Sequence, residues 1–234
     1  MTEQKHSINW VTFLLAWVAG FCDTATFVSG DSIFSAHVTG NFIVFAAQIV
    51  SNSFNPAGWL KLLTFPVFVF AVMIGGWLAE DPQRKYKLLV VEGILLMLCG
   101  ITAMLLPMLS GEFEKTLMYI VVMSTVLAMG LQNAFGRLFA KETHGPTTMM
   151  TGNVTQASLD LGNLVRKGFA NGITSTDSLR KLSVTIGGFL AGCIIGALFA
   201  KWLGLSAIIM PGVAIIICYL NGEAANSKSD NDKA

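Results

Sequence analysis

Thr39-Gly40-Asn41 breaks an apolar run, and Thr151-Gly152-Asn153 breaks another, at an offset of 112 residues in a chain of 234. The two copies match beyond the tripeptide. Ala19-Gly20-Phe21-Cys22-Asp23 precedes the first and Met129-Gly130-Leu131-Gln132-Asn133 the second, which sets Asp23 against Asn133. Gln48 falls opposite Asp160, and Gly75-Gly76 opposite Gly187-Gly188, with Gly192 or Gly196 as alternative partners. The pattern predicts an internal two-fold repeat with halves 1–111 and 112–222, followed by a polar tail, 223–234, without fixed structure. Polar breakers at matching places in two apolar halves point to a central binding site in a membrane protein.

Composition places the chain in the bilayer. Hydrophobic residues make up 53% and charged residues 12%, against about 25% charged in soluble domains. Residues 8–22, 62–79, 93–111, 116–136 and 182–200 carry no charge at all. A bilayer is crossed by about 20 mainly apolar residues, so the prediction is an all-α integral membrane protein in one transmembrane domain. A net charge of +1 argues against a nucleic-acid partner. The first apolar run continues past Gly20 into Asp23 with no small-residue cleavage site, as a retained helix does. Cys22, Cys99, Cys193 and Cys218 are far apart in apolar surroundings, the pattern of packing cysteines rather than a metal site or disulfide framework.

Candidate spans cover residues 8–28, 59–79, 88–109, 116–139, 182–201 and 203–220, the last with Pro211 as a kink point. Two shorter, wetter segments, 37–50 and 149–165, carry the tripeptides. Lys and Arg beside spans belong on the cytoplasmic side. If all eight segments cross, Arg84, Lys85 and Lys87 fall outside. If the two Thr-Gly-Asn segments enter and leave on one side, those three fall inside with Arg137, Lys141, Arg166, Lys167, Arg180 and Lys181, leaving Lys61 and Lys201 as exceptions. The second arrangement is favoured: six transmembrane helices, two broken or re-entrant segments, and both termini cytoplasmic. Three crossings per half make the repeats inverted; four would make them parallel.

The tripeptide suits the start of a short half-helix. Gly permits a tight turn, and Thr or Asn can cap a helix N-terminus. The exposed N–H groups there favour an anion or a carbonyl-rich solute. The competing reading is a close helix crossing with Asn as interhelical glue. Asn153, Gln156 and Asp160 share one helical face. Asp23 lies inside a span, where a carboxyl is costly and functional by default. His37, two residues before Thr39, can titrate near neutral pH. Arg137 is either a partner for Asp23 or an interfacial anchor, with the anchor favoured. Glu92, near the start of its span, is expected to reach the interface, and His144 to be an ordinary loop residue. Gly188, Gly192 and Gly196 form a small-residue packing face, which suits an internal contact or a homodimer.

Two groups of residues resemble a known family. Gly20-Phe21-Cys22-Asp23 with Phe34-Ser35-Ala36-His37-Val38-Thr39-Gly40-Asn41 is similar to the first signature of the YoaK family of bacterial membrane proteins. Gly130-Leu131-Gln132-Asn133 with Thr148-Met149-Met150-Thr151-Gly152-Asn153 is similar to the second. The resemblance extends from Val11 to about Leu203, with Cys22 where small or apolar residues are more usual. It implies a multi-pass protein of the bacterial inner membrane, in a family of unknown function that supplies no site residues.

The expectation is a transporter or channel for a small polar or anionic solute, proton-coupled through Asp23 or His37. Thr39, Gly40, Asn41, Thr151, Gly152, Asn153, Gln132 and Asn133 would meet the solute. No cofactor or metal is implied, and the partners are lipid and the solute. A structural or regulatory membrane subunit is the alternative. An intramembrane enzyme ranks below both: there is no G-x-S-x-G or H-E-x-x-H, and Asp23 with His37 is the one conceivable acid–base pair.

Overall fold

The computed structural model describes residues 2–51, 58–79, 86–167 and 173–231. Arg84 and Lys85, two of the charges that favour re-entrant segments, lie outside the described residues. Eight α-helices follow in order: α1 (Thr2–Ser29), α2 (Val38–Val50), α3 (Trp59–Leu78), α4 (Lys87–Ala103), α5 (Glu112–Leu138), α6 (Met150–Lys167), α7 (Ile173–Leu203) and α8 (Ile209–Asn231). The described residues contain no strand.

Among the described residues five apolar stretches are long enough to cross a bilayer: Ile8–Ser29, Trp59–Leu78, Lys87–Met108, Glu112–Leu138 and Thr176–Leu220. The last has 45 residues, about 68 Å if straight and more than twice the ~30 Å hydrocarbon core. Gly204 breaks it, at φ +62°, and a 3-10 turn over Gly204–Ile208 separates α7 from α8. Pro211 is then the third residue of α8 rather than a kink inside a span. A missing N–H costs nothing in a first turn. The backbone of α8 runs on to Asn231, through the stretch for which composition predicts no fixed structure. Glu223, Ala224 and Ala225 are good helix formers that prolong a helix already nucleated. With 13 residues, α2 is about 20 Å long, too short to span.

Close contacts fix the helix directions. Gly188 meets Phe13, Gly192 meets Trp17 and Gly196 meets Phe21, so α1 and α7 run parallel with their backbones touching. Gly130 meets Ala71 and Gly75 meets Ala134, so α3 and α5 are parallel too. Tyr86 stacks near Phe135 while Cys99 reaches Thr125, which makes α4 antiparallel to α5. Gly93 meets Ile216 and Gly100 meets Ile209, so α4 and α8 are antiparallel. Gln132 reaches Leu15 and Gly30 touches Val122, which opposes α5 to α1. Directions therefore alternate through α1, α3, α4, α5, α7 and α8 with α2 and α6 left out.

A side chain at Gly76 or Gly187 would meet nothing within 4 Å. Gly75 packs on Ala134 and Leu131, and Gly192 and Gly196 both pack on Phe21. The glycine face is spent inside the chain, against α1. The core gathers around α1, where Leu15, Val18, Ala19, Phe21 and Cys22 are buried. The outer surface is apolar instead: Trp202 is 80% exposed, Met108 81% and Val50 84%, as a lipid-facing surface requires.

Candidate functional site

After α1 the chain reverses through Asp31 and Ser32, both left-handed at φ 58° and 55°. It then folds back to the level of Asp23. One Asp23 oxygen accepts hydrogen bonds from the Ala36 N–H at 2.7 Å and the His37 N–H at 3.2 Å. The other oxygen lies 2.6 Å from His37 Nδ1. The carboxyl is buried, while the His37 side chain is 35% exposed and rests edge-on against Phe189 of α7. His37 lies in the connection before α2, outside the spanning helices. The hydrogen bond to Asp23 raises its pKa above 6.5, with burial opposing the shift.

The tripeptide begins as the second residue of α2, so Thr39 and Asn41 are not caps; the N-cap is His37, whose side chain makes no capping bond to the helix. Asn41 reaches back seven residues. Its Oδ1 accepts from the Phe34 N–H at 2.8 Å, and its Nδ2 donates to the Phe34 carbonyl at 2.8 Å and to Thr64 Oγ1 at 3.0 Å. Fully buried and bonded at both ends of its amide, Asn41 holds the loop. From there α2 runs antiparallel to α3, with Phe42 on Phe65 and Phe45 on Trp59. The chain thereby returns toward the end of α1 from which it came.

The second copy repeats these contacts with altered chemistry. Gln132 donates to Thr147 Oγ1 at 2.8 Å and to the Leu15 carbonyl at 2.7 Å, and Asn133 donates to Thr148 Oγ1 at 2.8 Å. Thr148 matches Ala36 in the repeat. Where alanine can offer Asp23 only its N–H, threonine offers Asn133 a hydroxyl. Asn153 again reaches back seven residues, to the Pro146 carbonyl at 3.2 Å. Proline has no N–H, so the other half of the Asn41 clasp is lost. Thr151 and Gly152 are exposed, as is Thr39. On α6, Gln156 donates to Asp160, which also accepts from Ser178 of α7 at 2.6 Å.

The two clusters touch α1 at Asp23 and at Leu15, eight residues apart, or about 12 Å along the helix. Packing divides them: α2 lies chiefly on α3, and α6 on α7.

Other expectations change as well. Glu92 is fully buried instead of interfacial. Lys61, an exception to the charge rule, is buried and paired at 3.0 Å with Asp31, which also accepts from Tyr119. A paired lysine carries little topological weight. Arg137 is exposed in the last turn of α5 and reaches Met149 Sδ, not Asp23, as an anchor would. His144 is more than a loop residue: its N–H donates to Thr12 Oγ1 and its ring meets Asn9 Oδ1, tying the 139–149 connection to α1. A lone histidine in a Gly-Pro loop gives no signal of that tether. Among the described residues no group of three His, Cys, Asp or Glu could hold a metal ion.

No curated protein and no solved structure matches the chain. A family described as "Protein of unknown function (DUF1275)" matches residues 11–220, nearly all of the helical body. The chain belongs to this DUF1275 family.

Proposed function

We propose that the chain is a transporter or channel of the bacterial inner membrane for a small polar or anionic solute, with proton coupling at Asp23 and His37. The observation that carries this reading is the repeated loop. A non-helical segment folds back along α1 from each end, held at matching positions by Asp23 and Asn41 in one copy and by Asn133 and Asn153 in the other. In this reading the six long helices cross, α2 and α6 are re-entrant from opposite faces, and the halves form an inverted repeat, a plan that recurs in secondary transporters. Both termini then face the cytoplasm. Arg137, Lys141, Arg166 and Lys181 gather at that end, while Lys61 at the other is neutralised by Asp31.

The roles divide by what each side chain has left to offer. Asn41, Gln132 and Asn133 hold the loops. Thr39, Thr151, Gly152 and Asn153 are more open and supply the solute contacts. The Asp23 carboxyl already occupies the N–H groups ahead of α2, so an anion is better placed at the start of α6. The alternative, a structural or regulatory subunit without transport, draws on the saturation of Asn41. Solute flux into liposomes separates the two. Asp23→Asn is expected to remove proton coupling and Asn153→Ala to lower flux about tenfold, the equivalent of one lost hydrogen bond to a charged group. Unchanged flux in both variants would sink the transport reading.

A further inference from the structure

Glu92 stands apart from both loop clusters. Its side chain is 0% exposed, and both carboxyl oxygens lack any hydrogen-bond partner. It lies five residues into α4, next to Gly93, which packs against Ile216 and the Gly212 carbonyl of α8. On α1 the nearest titratable group is the buried Cys22 thiol, and further along α4 lies Cys99. No cation faces it among the described residues. Every other buried acidic group has a partner: Asp23 has two N–H groups and His37, and Asp160 has Gln156 and Ser178.

An ionised carboxylate with no cation and no hydrogen bond is the costliest arrangement a protein interior can hold. A neutral acid costs no more than an unpaired polar group. The helices around Glu92 touch backbone to backbone at Gly93 and Gly212, which leaves no room for a hydration shell. We propose that Glu92 is a proton-binding site of the bundle, carrying its proton at neutral pH. The ligand is the proton itself, held on one oxygen of a carboxylic acid.

Cys22 and Asp23 are consecutive on α1 and so point about 100° apart. Asp23 turns to His37, while Cys22 is buried in the core. The bundle thus holds one buried carboxyl fixed by partners, Asp23, and one without any, Glu92. The protonation of Glu92 does not depend on the transport reading, in which Asp23 and His37 carry the coupled proton.

The test is infrared spectroscopy of the intact protein in lipid at neutral pH. A protonated-carboxyl C=O band is expected in the parent, absent in Glu92→Gln and retained in Asp23→Asn. A band that survives Glu92→Gln, or no such band in the parent, would overturn the proposal. Gln reproduces the shape of the neutral acid, so the variant should fold. A second readout needs no variant. The apolar reagent dicyclohexylcarbodiimide adds across a protonated carboxyl, the acid O–H proton moving to a carbodiimide nitrogen as the C–O bond forms. A Glu92 adduct by mass spectrometry at neutral pH, unaffected by prior treatment with a water-soluble carbodiimide, supports the assignment. Equal loss of the adduct after the water-soluble reagent would contradict it.

Discussion

Gly192→Val should leave almost no folded protein after extraction and size-exclusion chromatography, whereas Gly187→Val, five residues earlier on the same helix, should behave as the parent. A Cβ at Gly192 would run into the Trp17 carbonyl oxygen and lie 2.9 Å from the Phe21 nitrogen. These are backbone atoms of α1, which cannot swing aside as a side chain would. Overpacking a core with a methylene costs about 1–3 kcal/mol when neighbouring side chains can adjust. Here two helices must separate along the contact that also includes Gly20, Gly188 and Gly196, so the cost should exceed that range. At Gly187 a Cβ meets nothing within 4 Å. Equal yields of the two variants would show that α1 and α7 do not meet as described.

Asp23→Ala is expected to destabilise the protein by about 3–5 kcal/mol, the range for removing one partner of a buried, hydrogen-bonded charged group. Two N–H groups, of Ala36 and His37, lose their acceptor together with the His37 ring. The pH dependence should change too. The hydrogen bond that His37 donates to Asp23 raises the His37 pKa in the folded state above 6.5. A raised pKa stabilises most below the unfolded value and loses that contribution as pH rises through the folded one. The parent should therefore weaken from just below neutral pH upward, and Asp23→Ala should lack that slope. Unfolding midpoints measured across this interval check both parts. A variant as stable as the parent, with the same slope, would show that Asp23 does not hold the loop.

Much of this architecture was legible in the chain because its signals are local. Runs of charge-free apolar residues mark the long helices, and Gly within a polar triplet marks where α2 and α6 begin. What stayed hidden depends on distant partners. Glu92 near the start of its span reads as interfacial, yet α8 packs beside it at Gly93 and its side chain is buried. Lys61 reads as a free cation until Asp31 is seen beside it. Asn41 and Asn153 close the same tripeptide, but Phe34 gives the first an N–H and Pro146 denies it to the second. Gly75 aligns with Gly187 by spacing, yet Gly75 is tightly packed and Gly187 meets nothing within 4 Å. The polar loop residues were found; that Asn41, Gln132 and Asn133 clasp the loops needed their bonding partners.

The account stands on the two Thr-Gly-Asn segments returning to opposite faces of the membrane. Ser51, just after α2, and Arg166, near the end of α6, are both exposed. Single cysteines placed there by Ser51→Cys and Arg166→Cys, with Cys22, Cys99, Cys193 and Cys218 replaced by alanine, can be labelled in oriented vesicles by a membrane-impermeant maleimide. Labelling of the Ser51→Cys protein from the periplasmic side and of the Arg166→Cys protein from the cytoplasmic side is the predicted result. Labelling of both from the same side would contradict it, since segments that cross fully place both positions on one face.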